Sequence, residues 1–413
     1  MKSFVQYGAG NIGRGFLGPL FSAAGYHVSF IDVNQTLVAA LNQRRSYPLE
    51  IVSDQKTSVT LVENVSGIDG TDTDAVAHAI AKASVMATAV GVNVIPHIAK
   101  TLAQGLSVRW QKGNVAPLNI IICENMLNAD QYLRKLLFSY LSPAEAEVFD
   151  QRVGLVEASI GRMVPVMTEE MKQKDALCIR VEPYAFLPVD KAAFRGEIPA
   201  VPGLSPYSPF AFYLQRKLFL HNMGHALTAY LGHLLNQTYI WQAINTPVVK
   251  LLVQRAMLES ARALSRRFSV PLEEILPHID DLLLRFANKA LGDTIDRVGR
   301  DTKRKLSPDD RFAGAIKLAE EVGVSPIYLS AGLACGLLFT GQNDEGSAYV
   351  KTMLAEHGAA YVLAHHCDIS PESNTMDMAL SAYGLLSKGG TPEELLALCE
   401  TLLREQLAGS PVI

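Results

Sequence analysis

Residues 3–32, SFVQYGAGNIGRGFLGPLFSAAGYHVSFID, decide the fold. Ser3–Tyr7 is a short β-type run that stops at Gly8-Ala-Gly10-Asn-Ile-Gly13. Leu17–Ala24 then carries apolar residues at helical spacing, and Gly25 is placed to cap that helix. His27–Ile31 is a second strand-like run, closed by Asp32. A β–turn–α–β order within about 30 residues is the βαβ unit of a parallel sheet. In the turn, Gly8 permits the tight reversal, Gly10 lets the backbone approach a pyrophosphate, and Gly13 lets helix and strand pack closely. The helix N-terminus beyond them faces the phosphates with free N–H groups. A carboxylate at Asp32 accepts adenosine ribose hydroxyls and repels a 2′-phosphate, which favours NAD over NADP. The expected cofactor contacts around this turn are Gly8, Gly10, Asn11, Ile12, Gly13, Asp32 and Val33.

Outward from that unit, strand-like runs follow at 58–62, 85–90, 119–123, 153–156 and 178–181, with helical patterns such as 74–82 between some of them. The alternation as far as 123 predicts a largely parallel sheet covered on both faces, and 153–156 and 178–181 read as two more strands. Thr88-Ala89-Val90-Gly91 and Cys123-Glu124-Asn125 each end a strand, where a doubly wound sheet admits its cofactor; ordinary small-residue packing is the plain alternative for the first and a helix cap for the second. The stretch 198–209 holds four prolines in twelve residues and marks a boundary or its immediate aftermath. Beyond Phe210 helical patterns dominate, at 210–235, 247–267, 272–288, 310–321, 347–357 and 391–407. The expectation is an α/β, Rossmann-type doubly wound domain over residues 1–195, followed by a mostly α-helical substrate-binding domain over 196–413.

Composition bounds the function. The 413 residues are 49% hydrophobic and 19% charged, ample for a buried core and against disorder. Lys and Arg number 37 against 41 Asp and Glu, a net charge of -4, so no basic field exists to track nucleic acid. The five cysteines contain no C-x-x-C pair, which fits buried thiols in a reducing compartment rather than disulfides or structural zinc. Residues 218–249 lack any Asp, Glu, Lys or Arg, but eight His, Asn and Gln interrupt them. That many imidazoles and amides suits a buried helix beside a polar site and not a bilayer span. No secretory signal is read at the N-terminus, and the expectation is a cytoplasmic protein with no membrane partner.

The helical pattern from Phe210 carries Lys217, Asn222 and His225, spaced K-x4-N-x2-H. At about 100° per residue, His225 stands near 80° and Asn222 near 140° from Lys217, so the three can share one face. Alcohol oxidation needs a base for the hydroxyl proton and donors for the developing oxyanion. A desolvated lysine can be that base, and Asn and His can be those donors. A solvated lysine and two hydrogen-bonded core residues are the ordinary reading of the same pattern. His221 and His225 are at i, i+4, but with no third ligand nearby a metal is not expected.

YGAGNIGRGF, DVN at 32–34, TAVG at 88–91, CEN at 123–125 and RKLFLHNMGHALTAYLG at 216–232 together resemble the polyol-specific long-chain dehydrogenases. The likeness continues through 189–191, 194–196, 297–300, 304–306 and 310–311, and so covers most of the chain. It implies a metal-independent, NAD-dependent oxidoreductase with Lys217 as general base and Asn222 and His225 as oxyanion stabilisers. Within the family it is strongest to the bacterial branch that interconverts D-mannitol 1-phosphate and D-fructose 6-phosphate. A non-phosphorylated polyol 2-dehydrogenase or a hexuronate reductase is the enzymatic alternative. A dinucleotide-binding sensor without catalysis is disfavoured by the retention of all three residues. Asn125, Arg162, Arg297, Arg300, Arg304 and Lys305 are the expected substrate contacts. Five cations within residues 297–305 could receive a sugar phosphate through guanidinium contacts. One departure stands out: Gly161 occupies a position where the family usually has Asp. The partner is thus a small molecule, with monomer and weak homo-oligomer both open.

Overall fold

The computed structural model describes residues 2–126, 128–165 and 173–409, with the side chains of 407–409 excepted. The chain divides into two compact units, Met1–Tyr213 and Leu214–Ile413.

In the first unit six strands form one parallel sheet: β1 (Ser3–Tyr7), β2 (His27–Asp32), β5 (Val65–Asp69), β6 (Val85–Thr88), β7 (Leu118–Ile122) and β8 (Val153–Glu157). Their order is β5-β2-β1-β6-β7-β8. Numbered within this sheet it is 3-2-1-4-5-6, the Rossmann order, so the switch point lies between β1 and β6. The central strands read as continuous apolar runs because both faces are covered. Phe4, Val28, Phe30 and Ala87 pack into the core on one side. Their neighbours Val5, Ile31, Met86 and Ile120 pack into the core on the other.

One expectation is corrected here. The run at 58–62 is β4 (Thr57–Glu63), which pairs antiparallel with β3 (Ser46–Val52); the run at 178–181 is β9 (Ile179–Val181), parallel to β3. These three form a separate sheet. The place beside β2 belongs to β5, whose Ser66, Gly67 and Asp69 hide it from a hydrophobic pattern. The proline-rich stretch holds β11 (Leu204–Tyr207), which pairs with β10 (Leu187–Asp190) and so lies within the first unit.

The second unit is helical, and its described residues include no paired strand beyond the isolated bridge Tyr239–Thr294. The helix Met223–Leu234 is buried along most of its length and packs on Pro247–Phe268 and Ile327–Leu338. The segment expected to be one helix is three: α over Ala211–Arg216, π over Lys217–Asn222, and α again from Met223. The wider π turn means that a uniform 100° step misplaces Lys217 relative to His225, and π turns recur at functional sites. Asn374–Leu386 and Pro392–Gly409 pack on Ile327–Leu338 and bury Met376, Ala379, Ala382, Leu395 and Cys399. Among the described residues no helix is long and apolar enough to cross a membrane.

Candidate active site

The first unit gathers the glycine turn and the TAVG segment at the carboxyl ends of β1 and β6. The Ala89 amide donates to Tyr7 O at 2.9 Å, joining the two strand ends. Gly8 has φ +94°, and a Cβ there would lie 2.5 Å from Ala89 O. At Gly13 a Cβ would lie 2.1 Å from Gly8 O. Gly10 differs: its φ is ordinary, and a Cβ would meet no atom within 4 Å. Protein packing therefore gives no reason for glycine at 10, whereas a pyrophosphate laid on the turn does. Gly10 and Asn11 are exposed, Ile12 is half-buried, and Val33 is exposed just past β2. Asp32 Oδ2 accepts from the Ala9 amide and Oδ1 from the Asn34 amide, both at 2.9 Å, so the carboxylate is locked at the end of β2. These residues fit a dinucleotide.

Glu124 supports the same edge. It is buried, and it accepts from Thr88 Oγ1 at 2.7 Å and from the Val90 amide at 3.1 Å. Burial raises its pKa, while those two donors act in the opposite direction. Asn125 is exposed beside it. Arg14 is buried, with Nε donating to Ala9 O at 2.7 Å and Nη1 to Leu177 O at 2.6 Å, which pins the turn to the segment before β9. Neither role shows in the residue pattern, because Thr88 and Val90 for Glu124, and Leu177 for Arg14, lie far off in the sequence.

Arg162 is spent on backbone. Nε and Nη2 reach Glu182 O at 3.0 and 2.8 Å, and Nη1 reaches Gly15 O at 3.0 Å. Burial lowers its pKa to about 10. At Gly161 a Cβ would stand 3.1 Å from the Tyr184 ring and 3.2 Å from its hydroxyl. Tyr184 thus takes the room that a larger side chain would need.

In the second unit, Lys217 and Asn222 bracket the π turn and are half-buried, and His225 follows on the next turn. Arg311 Nη1 donates to Asn222 O at 3.3 Å, engaging a carbonyl at the end of the π turn. The His225 ring lies flat on Phe286, with centroids 4.8 Å apart and planes at 8°. Its Nε2 is 3.4 Å from Asp293 Oδ2, while Asp293 Oδ1 accepts from the Arg297 guanidinium. Burial lowers the His225 pKa; Asp293 opposes that, and Arg297 and Lys305 add to it. For Asp293, burial alone would raise the pKa, but His225 and Arg297 outweigh it and the net shift is downward.

The basic run is largely paired. Arg300 bonds Asp296 at 2.9 Å, and Arg304 bonds Asp301 at 2.7 Å and Asp310 at 2.9 Å. Lys305 is buried and donates to Val298 O at 2.5 Å. Burial, then Arg311 and Arg304, brings its pKa down to about 7. Asp293–Arg297 and Asp296–Arg300 are i, i+4 pairs and Asp301–Arg304 is i, i+3, so the sequence carried a signal for these partners. Among the described residues no three His, Cys, Asp or Glu side chains are grouped to hold a metal.

The family model of the mannitol dehydrogenase Rossmann domain matches residues 2–203, and that of the mannitol dehydrogenase C-terminal domain matches 210–369. Among solved structures the chain is similar to D-sorbitol dehydrogenase in substrate-free form, at 14% identity, 94% coverage of both chains and a TM-score of 0.77. It is also similar to Pseudomonas fluorescens mannitol 2-dehydrogenase in a ternary complex with NAD and D-mannitol, at 14% identity, 98% and 94% coverage and a TM-score of 0.70. With a Rossmann unit and a helical unit each matched over most of its length, the chain belongs to the mannitol dehydrogenase family.

Proposed function

We propose that the protein is an NAD-dependent polyol dehydrogenase that interconverts a hexitol phosphate and its ketose phosphate, D-mannitol 1-phosphate and D-fructose 6-phosphate. The observation that carries the dehydrogenase reading is the joint presence of Lys217, Asn222 and His225 about one π turn and an open Gly10 beside a locked Asp32. NAD, when bound, supplies the acceptor for the substrate hydride. Gly8, Gly10, Gly13 and the TAVG edge hold it, with Asp32 selecting against a 2′-phosphate. Lys217 takes the proton from the substrate hydroxyl in oxidation and returns it in reduction. Asn222 and His225 donate to the same oxygen as charge develops on it.

The phosphate reading rests on the exposed guanidiniums of Arg300 and Arg304. Their side chains are 53% and 48% exposed, and ion pairs at such sites are worth about 0–1 kcal/mol. A phosphate dianion that accepts bidentate guanidinium bonds can displace such pairs. The same ion pairs favour a second reading, an unphosphorylated polyol, because Asp296, Asp301 and Asp310 already neutralise both arginines.

NADH oxidation with fructose 6-phosphate beside unphosphorylated fructose separates the two. A preference of tenfold or more for the phosphorylated ketose, weakened by Arg300→Glu or Arg304→Glu through KM, is the expected outcome. Preference for fructose transfers the assignment to the unphosphorylated substrate. Repeating the better pair with NADPH tests Asp32, with a loss of about tenfold or more expected.

A further inference from the structure

We infer that Asp293 is a positioning residue that holds His225 as the Nε2–H tautomer and ties it to Arg297, so that the oxyanion donor and the substrate-side guanidinium are set as one unit. The inference rests on the polyol dehydrogenase reading for its kinetic consequence, but its structural part does not need that reading.

Asp293 is 7% exposed, and its two oxygens face two different partners. Oδ2 is 3.4 Å from His225 Nε2, and Oδ1 accepts from Arg297. Its backbone is held as well: the Ile240 amide donates to Asp293 O at 2.9 Å, and Thr294 Oγ1 caps the short helix that carries Arg297. The carboxylate is therefore a fixed point and His225 is adjusted to it. Stacking on Phe286 fixes the imidazole plane but leaves open the 180° flip about Cβ–Cγ, which exchanges Nε2 with Cε1. Asp293 removes that freedom.

An anionic oxygen beside Nε2 favours the proton on Nε2 over Nδ1, because an Nε2 lone pair facing a carboxylate is repelled. At 3.4 Å the contact is an ion-pair distance without hydrogen-bond alignment, and Nε2 has no hydrogen-bond partner among the described residues. Because the carboxylate lies off the hydrogen-bond axis, the Nε2–H can donate to a substrate oxygen without the ring turning, while the charge on Asp293 keeps the proton on Nε2. Other charged groups near His225 are Arg297 and Lys305, with His221 at 6.2 Å between ring centroids, and all three oppose protonation of the imidazole. Asp293 is the one neighbour named here that supports a proton on it.

The test is Asp293→Asn in the full-length protein, with Asp293→Glu as the conservative control. Nitrogen-15 chemical shifts of labelled histidine report the tautomer directly. Wild type is expected as Nε2–H, and Asp293→Asn as a shift toward Nδ1–H, with NADH binding within twofold of wild type. Ketose reduction is expected to fall by about 100-fold in kcat/KM, and any limb of the pH profile due to His225 to move to lower pH. Asp293→Glu is expected to recover part of the rate and the Nε2–H signal. An unchanged tautomer in Asp293→Asn, or kcat/KM within twofold of wild type, overturns the inference. If Asn does not fold, the wild-type tautomer decides by itself, and Nδ1–H there overturns it. If wild type reduces no ketose at all, the functional reading fails while the tautomer result still judges Asp293.

Discussion

At the scale of single residues, Gly8 and Gly10 play opposite parts in one turn. Gly8 sits at φ +94° with Ala89 O where a Cβ would go, so Gly8→Ala strains the fold itself. A loss of about 3 kcal/mol is expected in denaturant unfolding. Gly10→Ala meets no protein atom within 4 Å, so its melting temperature should match wild type. Its NADH affinity, by fluorescence titration, should fall about tenfold or more, because only the ligand needs that space. Lys217→Ala is expected to lower kcat by about 10²–10⁴-fold while NADH binding persists. Equal loss of both would point to a structural lysine instead. Lys305 gives a prediction with a sign in pH. Its pKa in the fold is about 7, against about 10.4 for an unfolded lysine. Between those values the unfolded chain holds a proton that the folded chain has given up, so stability rises with pH across that window. In denaturant unfolding, wild type should therefore gain stability relative to Lys305→Met as pH rises from 7 toward 10, and a pH-independent difference would refute the shift.

At the scale of elements, five of the six strands of the parallel sheet and the long amphipathic helices of the second unit were legible because each carries its own periodicity. Among the elements that were not, three have a clear physical cause. β5 is nearly polar in sequence and becomes a strand because β2 offers it an unpaired edge. Ile327–Leu338 is buried on all sides and so has no polar face to set a period. The π turn at Lys217–Asn222 depends on how its carbonyls are satisfied, Arg311 to Asn222 O among them. The N-terminus of Ile327–Leu338 also has no cap of its own; Glu259, from the helix Pro247–Phe268, accepts from the Tyr328 and Leu329 amides at 3.0 and 2.9 Å. Glu259→Ala leaves two buried N–H groups unpaired, and a loss of about 3 kcal/mol is expected in chemical unfolding.

At the scale of the whole molecule, the chain runs beyond the matched family domains, which end at residue 369. Two helices follow that end. They pack: Asn374–Leu386 and Pro392–Gly409 cover Ile327–Leu338 and bury Met376, Ala379, Leu395 and Cys399. A chain stopped after Ile369 would expose that apolar helix, and it is expected to aggregate or to lose the cooperative unfolding of the second unit. Soluble, cooperatively unfolding material from such a truncation would refute this account.

Residues 3–32 by themselves determined a βαβ unit with a phosphate-facing turn, because a tight reversal, a helix period and a strand-end carboxylate are local patterns. The K-x4-N-x2-H spacing marked the helix that carries the candidate chemistry for the same reason. Tertiary structure decided which of those groups are engaged, and by what. Arg162 is absorbed by Glu182 O and Gly15 O, Glu124 by Thr88 and the Val90 amide, and His225 is set beside Asp293. Burial and charge pairing sum over segments far apart in the chain, and so appear only when those segments meet in space.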